Sequence, residues 1–290
     1  YVNVEGIVTG VWATCFFIQS ADRSSGIRVN ADVGYYVKRG DIVQVQGILG
    51  ITDGERAINP SMPAIVHGST TVPSPVALRN RDLGGGDASP DNPGVTDGRG
   101  ALNVGLLVKT TGVVTYSGAG FFYIHDGSNR TDSPLDDGSG MLGVRITSNI
   151  VASPGDWLEV TGVSSTDTYN VPGRNIPTIM PRDANDVTWG STLSTVTSPP
   201  GRVPAGWSLI AVPAIPEDPS PESVFAGIPI DGNLYRWEAA SRSLMIYDAW
   251  SPESYGGILL GDGHWLQTTA PATISYEGRY QANDQWISLP

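Results

Sequence analysis

The chain has 290 residues, among them 36 Gly, 22 Pro and one Cys, and carries a formal net charge of −12 from 17 basic and 29 acidic side chains. That length is enough for two or three domains with cores of ordinary size, but it holds no apolar run of the roughly eighteen residues that a membrane-spanning helix needs. The lone Cys15 excludes an internal disulfide, and the acidic balance weighs against strong phosphate binding.

Apolar residues come in short runs bounded by Gly, Pro, Asn and Asp, and no amphipathic helical period lasts beyond about three turns. This is the pattern of an all-β protein. The first run, YVNVEGIVTGV, already alternates at Tyr1. A start at Tyr rather than Met suggests a mature form whose leader was removed, hence an extracellular or cell-surface location. Further short runs follow: CFFIQS, in which Cys15 should pack as a small apolar residue, then GIRVN, DIVQVQGIL and a last strand near AIVHG. Before the fourth run stands Arg39-Gly40-Asp41, a tripeptide that can act as an adhesion ligand or simply as a turn.

Residues 85–105 form a Gly/Asp/Pro-rich junction, whose first half is too polar to pack a core. After it the chain repeats itself. Gly6 and Gly112 open equivalent runs, each followed ten residues later by an aromatic pair and an Ile (Phe16-Phe17-Ile18 and Phe122-Tyr123-Ile124). Gly26-Ile27-Arg28-Val29 matches Gly143-Val144-Arg145-Ile146 after an eleven-residue acidic insertion. Gly40-Asp41 and Gly47 match Gly155-Asp156 and Gly162, while Arg56, Ile58, Met62 and Pro63 align with Arg174, Ile176, Met180 and Pro181. Each copy thus has about five short strands with no room for a crossover helix, which suits a small closed barrel. The second copy keeps Gly-Asp but has Pro154 in place of Arg39, so a shared turn is the reading of Arg39-Gly40-Asp41.

The two copies resemble the OB-like repeats of secreted bacterial surface proteins, as also found beside extracellular nucleases. The resemblance implies two tandem OB-like β-barrels, at 1–84 and 106–190. A Ser/Thr/Pro linker over 191–204 should be extended and stiff. The segment 205–290 has a different vocabulary and five of the eight tryptophans: Trp207, Trp237, Trp250, Trp265 and Trp286. Its one helical stretch is PSPESVFAGI, with Ser220 as N-cap, Pro221 in the first turn and Glu222 near the positive end of the dipole. GWSLIAVPAIP and GDGHWLQ resemble the "GWNLIS-P…GxGYW" β-modules at the ends of secreted bacterial proteins, with His264 where those have Tyr. A smaller Trp-rich, β-sandwich-like domain is the expectation, with most of its tryptophans in the core and one or two at an interface.

The chemical inventory points away from catalysis. Three histidines (His67, His125, His264) fall in three different segments, and no GxSxG elbow, P-loop or HExxH is present. The expectation is a chain with no enzymatic activity and no cofactor. Asp132, Asp136 and Asp137 in the acidic insertion are weak candidates for a Ca²⁺ site, since they lack the spacing of a calcium loop. If the first barrel binds single-stranded nucleic acid, its face is Phe17, Arg23, Arg28, Lys38 and Arg39. Its zero net charge and the acidity of the remainder weigh against that partner. Tryptophans that stack on sugar rings make a polysaccharide the other alternative. The leading expectation is a structural subunit of a filament, sheath or coat whose main partner is itself. Its connectors would be the first strand (Tyr1, Val2, Val4) and the last (Trp286, Ile287, Leu289), through docked domains and strand exchange.

Overall fold

The computed structural model describes residues 1–31, 37–128, 130–134, 140–168, 174–190, 192–238 and 241–280, with only the backbone of 132–134 and 140. The chain is all-β apart from short helical turns. Its first six strands are β1 (Val2–Val11), β2 (Cys15–Gln19), β3 (Gly26–Asn30), β4 (Asp41–Thr52), β5 (Glu55–Pro60) and β6 (Ile65–Ser69). Neighbours run β1-β2-β3-β5-β4, and β4 pairs back to β1, so the sheet closes on itself with β6 added outside β4. Closure is possible because β1 serves two partners, β4 through Val2–Ile7 and β2 through Ile7–Val11, with a register shift between Val8 and Gly10. Asp53 and Gly54, at φ 51° and 87°, supply the two-residue turn that joins β4 to β5. Alternate residues Val8, Phe16, Ile18, Val29, Val43, Val45 and Ile58 fill the ring.

The second copy supplies β7 (Val76–Ala77), β8 (Leu107–Gly118), β9 (Phe121–His125), β10 (Thr131–Pro134), β11 (Gly140–Leu142), β12 (Val144–Thr147), β13 (Trp157–Asp167), β14 (Ile176–Met180) and β15 (Val187–Trp189). β8-β9-β12-β14-β13 closes back on β8, while β10 and β11 form a hairpin within the insertion. The duplication read from the sequence holds in register. Val8↔Ile18 and Gly6↔Val43 in the first ring correspond to Val114↔Ile124 and Gly112↔Leu158 in the second, and both rings shift register at the same point.

The last part of that alignment needs correction. Val29 pairs with Ile58 and Ile146 with Ile179, so the equivalent of Ile58 is Ile179 rather than Ile176. The tight Asp53-Gly54 turn of one copy is replaced by a longer connection in the other, and sequence matching slid by three residues along it. The junction also differs from expectation, because Val95 in its first half is buried, between the buried Leu83 and Leu106 that flank the segment. Its glycines make this possible: a Cβ on Gly94 or Gly98 would overlap the Gly85 carbonyl, so the backbones themselves pack together. Asn103 secures the bend by accepting from Gly84 N–H and donating to Asp82 O.

Of the described residues, 1–125 and 130–189 form one compact unit, and 126–128 with 190–280 form another. The second unit contains β16 (Ser194–Thr197), β17 (Gly206–Ile210), β18 (Ile215–Pro216), α1 (Pro221–Val224), β19 (Leu234–Glu238), β20 (Ser243–Ile246), α2 (Pro252–Tyr255), β21 (His264–Thr268) and β22 (Ser275–Arg279). Sheets β16-β22-β18 and β17-β21-β19-β20 share a core that includes Val196, Phe225, Leu234, Tyr247, Tyr255, Leu266 and Tyr276. The expected linker is therefore partly strand, since β16 pairs with β22. The helix expected at PSPESVFAGI is the single turn α1, with Ser220 at its N-cap but no side-chain cap bond. The Ser-Pro-Glu-Ser sequence recurs at 251–254 and starts α2, a second helical turn where the sequence pattern implies only the one at PSPESVFAGI.

Candidate functional site

The expected nucleic-acid face of the first ring is occupied by the second ring. Phe17 is fully buried in a cluster with Cys15, Leu107 and Val163, flanked by Trp12, Val72 and Met180. This is a correction: an aromatic ring packed against the neighbouring barrel cannot stack on a base. Burial also raises the Cys15 thiol pKa, which leaves it an inert core residue. Arg28 is likewise committed, its Nη1 lying 3.0 Å from Asp53 Oδ2 and 3.2 Å from Glu55 Oε1. Arg39 pairs with Asp183 of the second ring at 2.7 Å. Arg23 sits at positive φ in the β2–β3 turn, and Lys38 is exposed. The five residues therefore do not form one open basic surface.

Polar bonds tie the same seam together. Gln19 Oε1 accepts from Leu107 N–H at 2.8 Å, Thr166 donates to Asp53 O, and Asn175 donates to Gly54 O. At the centre Glu55 has no exposed surface, and its Oε1 accepts from both Arg28 and Ser165, the latter at 2.8 Å. Its Oε2 has no hydrogen-bond partner among the described residues. Desolvation dominates over the Arg28 charge and pushes the Glu55 carboxyl up to about 7.

Arg39-Gly40-Asp41 has the geometry of its counterpart in the other ring. Gly40 and Gly155 have φ 89° and 97°, and their N–H groups donate to Val8 O and Val114 O, each at 2.9 Å. Asp41 and Asp156 each accept from the backbone N–H three residues earlier, again at 2.9 Å. The shared requirement is a left-handed turn closed by a carboxylate. A Cβ on Gly40 would lie 2.6 Å from Thr70 O, whereas one on Gly155 would meet nothing within 4 Å. Gly155→Ala should therefore cost only backbone strain of about 1–3 kcal/mol. Gly40→Ala should cost at least about 1 kcal/mol more. Urea unfolding of the two variants checks this ordering, and equal losses would contradict it. Arg39→Ala, which removes a half-exposed ion pair, should cost no more than about 1 kcal/mol.

The second unit has an exposed apolar face that strand register makes continuous. In the β17-β21-β19-β20 sheet, Ser208, Leu266, Leu234 and His264 point inward, leaving the opposite face to Trp207, Leu209, Trp265, Tyr235, Trp237, Leu244 and Ile246, with the neutral amide of Gln267 opposite Trp207. Register puts Leu209, Trp265, Tyr235 and Ile246 in one row across all four strands. Trp207 extends it, its ring centroid 5.2 Å from that of Tyr235. Leu209 is 64% exposed and Trp237 59%. The expectation that most of these tryptophans form the core is thus corrected. Tyr247, Tyr255 and Phe225 fill the interior instead, and Tyr255 OH reaches His264 Nδ1 at 2.8 Å. Among the described outer-face residues of this sheet no Lys, Arg, Asp or Glu interrupts the row.

The remaining expected site residues are less informative. Tyr1 is 76% exposed, with its hydroxyl 2.9 Å from Ser61 Oγ, while Val2 and Val4 pack against their own ring. β1 is not a spare strand, because six of its residues pair with β4 in closing its own barrel. Trp286, Ile287, Leu289, Asp136 and Asp137 lie outside the described residues, and for Asp132 only the backbone on β10 is described. Among the described residues no group of three or more His, Cys, Asp or Glu side chains is arranged to hold a metal ion. No protein-family model matches the chain, and no curated protein matches it.

Proposed function

We propose that the chain is a non-enzymatic structural protein of a bacterial surface filament, sheath or coat, assembled from copies of itself. The observation that carries this reading is the uncharged aromatic and aliphatic outer face of the second unit's four-stranded sheet. Apolar faces of this kind mark interaction sites. The aliphatic side chains Leu209, Leu244 and Ile246 carry the face beyond its aromatic rings, which suits a protein partner. Self-association of a chain with net charge −12 requires a contact free of like charges, and this face supplies one. The extracellular setting rests on the resemblance of the repeats and of the terminal module to those of secreted bacterial proteins.

The barrels fit a load-bearing role. Their docking seam is apolar, hydrogen-bonded and ionic at once, which makes a two-barrel block stiff. Negative-stain microscopy and light scattering of the purified protein test the proposal. Filaments, sheets or concentration-dependent oligomers are expected, and a monodisperse monomer at high concentration would overturn it.

A further inference from the structure

A groove of about 550 Å³ opens on the first unit where the turn after β1 meets the second ring, and Trp12, Ser148, Asn149, Ile150, Arg182 and Asp183 are among its lining residues. We propose that this groove binds a neutral saccharide, with Trp12 as the stacking platform. The indole is held in place from behind. A Cβ on Gly10 would overlap its Cη2 and Cζ3 atoms, so the ring lies against bare strand backbone. Phe17 meets it edge-on, with centroids 5.6 Å apart and planes at 84°. Trp12 is nevertheless only half-buried, so a ring fixed in orientation remains open to the groove.

The polar lining indicates which ligand would fit. Arg182 is consumed by Asp186, donating from Nε and Nη2 to its two carboxylate oxygens at 2.7 Å each. Asp183 is consumed by Arg39 and by Asn185 N–H. Among the described lining residues the charges are thus closed in pairs, with neither a free cation for a phosphate or carboxylate nor a free anion for an amine. What remains are the exposed Asn149 amide, the Ser148 hydroxyl, which accepts from Ile150 N–H and keeps its own proton to donate, the Thr147 hydroxyl, which shares one hydrogen bond with Thr178, and the apolar side chains of Ile150 and Met180. Hydroxyl and amide donors beside a fixed aromatic plane match a pyranose, whose C–H face stacks and whose hydroxyls each give and take a hydrogen bond. The volume lies within the usual range of small-molecule sites, roughly 300–1,000 Å³.

Titration calorimetry and saturation-transfer NMR on the full chain, with neutral β-1,4-glucan, α-1,4-glucan and N-acetylglucosamine tetrasaccharides as probes, test the site. At least one probe should bind, and Trp12→Ala should weaken it about tenfold or more, the order found for a nucleobase stacked on an aromatic side chain. Asn149→Ala should weaken it severalfold, and Ala184→Trp should block it by filling the groove. Trp237→Ala, in the other unit, should have no effect. If Trp12→Ala fails to fold, Asn149→Ala and Ala184→Trp still decide, because both replace exposed residues. Absence of binding by all three probes, or binding unchanged by the groove variants, or binding lost only with Trp237→Ala, would overturn the proposal.

Discussion

Replacing Arg28 with Ala is expected to destabilise the two-barrel unit by about 3–5 kcal/mol at pH 8, because it strips the counter-charge from a carboxylate that has no contact with water. The loss should be smaller at pH 5, where Glu55 can take up a proton and stand neutral beside Ser165. The native chain carries a related pH dependence. The Glu55 carboxyl has an ordinary value of 4.5 and is pushed up to about 7 in the fold. Between those values the folded chain binds a proton that the unfolded chain does not, so stability must fall as pH rises through this window and level off above it. The full effect is on the order of 3 kcal/mol. Asp183 and Asp22, whose carboxyls lie below the usual range, act in the opposite sense and only at more acidic pH. Glu55→Gln should flatten the profile between pH 4.5 and 7 while keeping an oxygen for Arg28 and Ser165. Urea titrations of native, Arg28→Ala and Glu55→Gln chains at pH 5, 6, 7 and 8 measure this. A native profile that rises across the window, or a Glu55→Gln profile with the native slope, would refute the assignment.

Leu209→Glu with Ile246→Glu should abolish assembly while leaving the monomer nearly as stable as before. Both side chains are at least half-exposed, so the folded monomer loses little packing, within about 1 kcal/mol. In a polymer built on this face the same carboxylates must be buried without partners or face their own copies. Either arrangement costs several kcal/mol per contact, which lowers association by more than about a hundredfold. Sedimentation velocity alongside thermal melting separates the two effects. Polymers of undiminished size would show that assembly uses another surface. A collapse in melting temperature would show instead that the face is needed for the fold.

Much of the architecture is legible in the sequence because closed barrels have strict local demands. Gly6, Gly47, Gly112 and Gly162 sit where strands crowd one another; a Cβ on Gly47 would strike the Asn59 carbonyl and one on Gly162 would lie 2.7 Å from that of Met180. Gly40-Asp41 and Gly155-Asp156 recur because one turn geometry needs positive φ followed by a carboxylate. These constraints act within a few residues or between adjacent strands, so they leave marks at fixed spacing. The alignment failed only where spacing itself changed, at the β13–β14 connection.

The assignment of faces is a different matter. Trp-Ser-Leu-Ile at 207–210 alternates as a strand must, but alternation cannot say which of its two faces is inside. By hydrophobicity Trp207 and Leu209 belong in the core, yet Ser208 and Ile210 hold that side while Trp207 and Leu209 face outward. The reason lies far along the chain, where Tyr247, Tyr255 and Phe225 already fill the interior. Phe17 and Arg28 show the same limit. In one barrel taken alone they read as a ligand surface, and only the arrival of Leu107, Val163 and Ser165 from the second barrel makes them a seam.

By itself, then, the sequence determined the all-β class, the duplication, the turns and the lack of familiar catalytic motifs, since each depends on residue type and short-range spacing. Which surfaces are consumed and which stay open was decided by tertiary structure alone. Burial is a property of pairs of segments distant in sequence, and a side chain carries no mark of the neighbour that will cover it.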